Sequence, residues 1–187
     1  MSLYDDERAK IRTGDIILFQ GSYIGSRLIR FGTGSKYSHI GVAVKSSDGL
    51  VYCFHSSHKK GVHPEFLSNL VRDYKGKIFV RHLNRSLSDE QVGLLKAYRR
   101  KYTGMPYETS KVEFILAGIG RKFGITKSVP TAALFCSEMV CKMFQYAKML
   151  NENYKAHTIA PCAFASSFLP ELDWLENIRF SYENRIK

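Results

Sequence analysis

Phe135-Cys136-Ser137-Glu138-Met139-Val140 is the stretch on which the reading of this chain turns. Pro130 and Thr131 stand just upstream, as residues at helix starts do. Downstream, Cys136, Val140, Met143 and Ala147 recur at helical spacing. The stretch predicts a helix with a cysteine near its first turn, on the face that packs inward. The positive end of a helix dipole favours thiolate at such a place. The plain alternative is a cysteine that serves as a small buried hydrophobe. A thiolate nucleophile needs a base, and histidine is the usual one. Tyr37-Ser38-His39-Ile40-Gly41-Val42-Ala43-Val44 offers His39 at the head of an apolar strand.

Working outward, residues 12–15 read as a turn and residues 16–19 as a short apolar strand, which Gly21 and Ser22 break. Residues 23–31 have helical spacing at Ile24, Leu28 and Phe31, and residues 32–35 are a Gly/Ser loop leading to His39. Residues 39–45 and 50–56 form two strands around an Asp48-Gly49 turn, a hairpin signal. Residues 61–64 read as a turn, 65–74 as a short helix and 77–83 as a further strand. Ser88-Asp89-Glu90-Gln91 is a capping-box pattern opening a helix that runs to about Lys101. Residues 112–119 are apolar enough for a buried helix ended by Gly120. Residues 151–161 are polar loop, and 164–169 with the Trp174 region close the chain. Strands followed by helices imply an α+β fold, in one domain spanning residues 1–187.

Composition narrows the classes. No apolar run approaches a membrane span, and the polar N-terminus has no signal-peptide pattern, so a cytoplasmic protein is expected. In a reducing compartment Cys53, Cys136, Cys141 and Cys162 stay free thiols. None forms a Cys-x-x-Cys pair, no zinc ligand set is visible, and no cofactor is expected. The net charge of +11 is spread along the chain, densest at Arg99-Arg100-Lys101. Such a surface suits solvent or an anionic membrane. No nucleic-acid motif accompanies it, so nucleic acid is not an expected partner.

Beside His39, the next strand places Val51, Cys53 and His55 on one face and Tyr52 and Phe54 on the other. His55 is within reach of His39 if the hairpin pairs as drawn. A polar group beside the base fixes its tautomer and stabilises the imidazolium. His58 and His63 are alternatives, but fall in the turn.

Gly14-Asp15-Ile16-Ile17, Tyr37-Ser38-His39-Ile40-Gly41-Val42, Lys60-Gly61-Val62, Gly104-Met105-Pro106-Tyr107 and Phe135-Cys136-Ser137-Glu138 occur in that order. Together they resemble the circularly permuted NlpC-type papain-like proteins, nearest the YiiX-like and poxvirus members, with lecithin retinol acyltransferase more distant. The resemblance covers residues 14–168. It implies a small antiparallel sheet or barrel packed against helices, with the histidine strand before the cysteine helix. It maps the nucleophile to Cys136 and the base to His39. Many members carry a glutamate a few residues before the Gly-Val; counting back from Gly61-Val62 lands on His55, as in the acyltransferase relatives. A neutral histidine orients a ring without supplying negative charge. Cys53 is the competing alignment, and Gln20 is a candidate oxyanion donor after the first strand.

The resemblance implies a thiol hydrolase, or an acyl transferase, using Cys136, His39 and His55 on a peptide, amide or lipid-like acyl substrate. The contrasting readings are a binding module that kept the fold without turnover, a lipid acyltransferase at a membrane surface, and an enzyme that removes a ubiquitin-like modifier.

Overall fold

A computed structural model describes residues 2–22, 26, 30, 35–57, 59–106, 132–168 and 170–187. The helices expected at 23–31 and 112–119, and His58, lie outside the described residues or largely so. The described helices are α1 (Leu3–Arg8), α2 (Leu67–Asp73), α3 (Asp89–Tyr102) and α4 (Ala132–Tyr146). The strands are β1 (Ile16–Gly21), β2 (His39–Lys45), β3 (Val51–Ser57), β4 (Gly61–Phe66), β5 (Gly76–Arg81) and β6 (Asn184–Arg185). They form one antiparallel sheet in the order β4-β3-β2-β1-β5-β6.

Both faces of the sheet are covered, so its central strands are apolar on both sides rather than alternating with polar residues. Ile16, Leu18, Ile40, Val42, Val44 and Phe54 share one core with Val140, Met143 and Phe144 of α4. Ile17, Phe19, Ala43, Cys53, Ile78 and Val80 share the other with Tyr4 of α1 and Leu67 of α2. Among the described residues no helix is long and apolar enough to cross a membrane.

The hairpin between β2 and β3 and the capping box of α3 form as read: Gly49 turns with φ +80°, and Ser88 and Gln91 cap each other. Two departures matter. β1 runs on through Gly21, which pairs with Gly76 and donates its N–H to the Ser38 hydroxyl at 3.1 Å. Residues 61–64 are not a turn, nor does a helix begin at 65. They belong to β4, which reaches Phe66, and α2 starts at Leu67. Pro64 is tolerated because β4 is the sheet's edge. The outer side of β4 is partly satisfied by the chain after α3: Val62 N–H donates to the Met105 carbonyl at 3.0 Å, and Gly104 N–H to the Val62 carbonyl at 2.8 Å. A Cβ on Gly61 (φ +66°) would stand 2.2 Å from that Met105 oxygen, so only glycine fits.

Candidate active site

The β2–β3 register sets Gly41 opposite His55. His39 and His55 therefore share a face, one diagonal step apart. Their rings meet, His39 Nε2 to His55 Nδ1, at 2.9 Å. The His39 ring also packs on Phe19, with centroids 5.1 Å apart. Burial first, then repulsion from His55 and His63, holds the His39 pKa well below its usual value, so the ring is neutral near neutral pH. His55 is 5% exposed, and burial lowers its pKa too, against the opposing pull of Glu65.

β4 supplies what the sequence reading placed in a turn and helix. Its register sets His63 opposite His55 and Glu65 opposite Cys53, all on the His39 side. Glu65 Oε2 lies 3.2 Å from His63 Nε2, 3.6 Å from His55 Nε2 and 3.7 Å from Lys60 Nζ. The His55 ring first, then His63 and Lys60, holds the Glu65 carboxyl down to about 2. The usable signal in the sequence was the alternation His63-x-Glu65, a strand period beside a hairpin. Where no zinc ligand set was visible in the sequence, the fold gathers one nitrogen each from His55 and His63 and one oxygen from Glu65, all within 4.8 Å of one another.

Cys136 is fully buried and belongs to the core on the α4 side of the sheet. Its sulfur is met by the backbone N–H groups of Ile40, Ser137 and Cys136, so the thiol reaches β2 at the residue after His39. Burial outweighs these donors and pushes the thiol up to about 12. The expectation of a dipole-favoured thiolate is therefore corrected. Cys136 is the fifth residue of α4 as described, past the first turn where the dipole acts, and desolvation dominates. Ser137, next to it, donates its hydroxyl to the Ile159 carbonyl at 2.5 Å, anchoring this end of α4.

Cys53 lies over Gly41 on the other face: a Cβ on Gly41 would come 2.4 Å from its sulfur. Cys53 fills that space, and the ring nitrogen that meets His39 belongs to His55. Gln20, half-buried, follows Ile16 and Leu18 in alternation toward the α4 side.

A second histidine cluster was not anticipated. His82, just past β5, reaches Asp15 Oδ2 through Nδ1 and Glu7 Oε2 through Nε2, each at 2.8 Å. Buried Asp15 also accepts the N–H groups of Leu83 and Arg12, each at 2.9 Å. The basic Arg99-Arg100-Lys101 cluster occupies the last turn of α3, where cations complement the helix C-terminus.

A family model for permuted papain-like amidase enzymes, the YaeF/YiiX or C92 family, matches residues 10–160. No curated protein matches the chain. Among solved structures, the chain is similar to the protein titled metalloprotein YiiX from Escherichia coli O157:H7. The two are 22% identical with a TM-score of 0.56, over 92% of this chain and 97% of that one.

Proposed function

This chain belongs to the permuted papain-like amidase family of YaeF and YiiX, and on that premise we propose that it cleaves an amide through an acyl-enzyme on Cys136, with His39 as base and His55 as the group that orients it. The observation that carries the reading is the 2.9 Å contact between the His39 and His55 rings on the Cys53 face of the sheet, at the strand head where the Cys136 thiol meets the next residue, Ile40, from the α4 side. With Nε2 of His39 donating to Nδ1 of His55, the remaining nitrogen of His39, Nδ1, is bare. A neutral ring with a free lone pair is what a base for a thiol requires. His55 then directs its own Nε2–H toward Glu65, whose ionised carboxylate supplies the negative charge that a neutral histidine lacks.

The steps follow. His39 Nδ1 takes the thiol proton, and Cys136 sulfur attacks the amide carbon. The tetrahedral oxyanion is met by the Gln20 side-chain amide. The imidazolium returns its proton to the leaving amine, and water, activated by the same ring, releases the acid. A thiol resting near 12 is a poor nucleophile alone, so proton transfer and attack are coupled, and the His39 ring, which shares a sheet face with His55, must turn toward the sulfur on the α4 side when substrate binds. Passing the acyl group to an amine or alcohol uses the same intermediate.

The test is release of 4-nitroaniline from a panel of acyl and aminoacyl nitroanilides. Wild type is expected to turn over at least one, and Cys136→Ser and His39→Ala none. Equal rates in all three would overturn the reading and leave a binding module.

A further inference from the structure

We propose that His55, His63 and Glu65 form a binding site for a divalent zinc-type cation, and that its occupancy reverses the proton order of the neighbouring His39 ring and so switches off the base. The site stands on geometry alone; the switching rests on the proposed function.

Three observations carry it. Among the described residues the Nε2 of His55 is buried without a hydrogen-bond partner, and Glu65 Oε2, 3.6 Å away, is beyond hydrogen-bonding range. A buried polar atom left so is costly, and a ligand removes the cost. The second concerns His63. Its Nδ1 faces the Gly61 carbonyl at 3.0 Å, an acceptor only, so Nδ1 carries the proton. Its Nε2 lies 3.2 Å from a Glu65 carboxylate oxygen. A ring nitrogen facing a carboxylate at this distance is bridged by a proton or by a metal ion, and the two compete for the same place. The contact to Gly61 is also the outer hydrogen bond that metal-bound histidines make. The third is spacing. Tetrahedral zinc, with bonds of about 2.0–2.1 Å, sets its ligand atoms roughly 3.3 Å apart. The separations to Glu65 Oε2, 3.2 and 3.6 Å, match that edge. Two nitrogens and one carboxylate are a borderline donor set that suits zinc better than magnesium or calcium. Lys60, at 3.7 Å from the carboxylate, is largely exposed on a flexible stem and free to leave.

The coupling is a matter of protons. Zinc on His55 Nε2 requires that nitrogen bare, so the neutral ring carries its proton on Nδ1. That N–H then donates to His39 Nε2, and His39 in turn holds its proton on Nδ1. One proton leaves His55 Nε2 and one appears on His39 Nδ1, with no net gain or loss. His39 Nδ1, the nitrogen that would accept the thiol proton, is now occupied.

The experiment titrates the whole protein with zinc against a chromophoric chelator and with cobalt by visible absorption. One equivalent is expected, with a tetrahedral cobalt spectrum. His63→Ala and Glu65→Gln are expected to weaken zinc binding at least about 100-fold, since each removes a direct ligand. Absence of binding in wild type, or binding indifferent to His63→Ala, overturns the site. Ring nitrogen NMR of His39 reads the coupling without any activity: zinc is expected to move its proton from Nε2 to Nδ1. An unmoved proton at full occupancy overturns the switch. Zinc is also expected to cut nitroanilide turnover at least tenfold, reversibly with chelator, and the ratio of rates with and without zinc is expected to become one in His63→Ala. If zinc binds and moves the proton while wild type turns over no amide under any condition, the proposed function fails and the site stands.

Discussion

His82 and His55 each stand beside a glutamate on this sheet, and the two clusters are built to opposite ends. Both nitrogens of His82 meet carboxylates at 2.8 Å, Asp15 on one side and Glu7 on the other. Hydrogen bonding to Asp15 is the largest cause of its raised pKa, so the charged ring is held. The network ties α1, the start of β1 and the end of β5 together. His55 instead faces another histidine through Nδ1, and its Nε2 stops short of Glu65. Burial lowers its pKa and that of His39. A cluster whose every donor has an acceptor stores stability. One that keeps neutral rings and an unfilled nitrogen keeps proton positions that can move.

The comparison can be broken by substitution, beginning with the largest effect. Cys136→Ala is expected to lower kcat by roughly 10³-fold or more while the melting temperature stays within a few degrees, as loss of a nucleophile does. Steady-state turnover paired with thermal melting checks both. Glu65→Gln keeps the shape and removes the charge behind His55. It is expected to lower kcat by about 10–100-fold with little change in KM, the scale on which partners behind a working ligand act. Little change in kcat would show that His55 orients His39 unaided.

His82→Ala tests the opposite cluster. It is expected to cost about 1.5–3 kcal/mol of stability, the range for hydrogen bonds to charged groups, and to leave kcat within twofold. Its pH dependence has a definite sign. The folded pKa of His82 is raised above 6.5, so its stabilisation is full below that value and is lost as pH rises through the folded pKa. Urea unfolding of wild type and variant should differ most in mildly acid buffer and converge toward alkaline pH. A gap that widens with pH would contradict the ion network. The smallest effect belongs to Cys53→Ala, expected to cost about 1 kcal/mol of packing over Gly41 and to leave turnover unchanged.

What the sequence made legible was local. Asp48-Gly49 and Ser88-Gln91 act within a few residues, and the hairpin and the α3 cap follow from them. Counting from Gly61-Val62 to His55 reached the ring that meets His39, because one hairpin holds both. β4 escaped because Gly61 and Pro64 carry turn signals that an edge strand also tolerates, and only pairing with β3 distinguishes the two. With β4 went the places of His63 and Glu65. β6 is a two-residue pairing at 184–185 with no periodicity to detect. The protonation of Cys136 was misjudged for a related reason: the dipole argument needs only the helix, whereas burial depends on the sheet packed against it.

In the proposed reaction Cys136 carries the acyl group and His39 puts it there. Rapid acid quench of the protein with a turned-over nitroanilide, followed by intact mass and peptide mapping, reads this directly. One acyl group per chain is expected, located on Cys136, accumulating before steady state in wild type and absent in His39→Ala. Acylation of another side chain, or equal loading of Cys136 without His39, would contradict it.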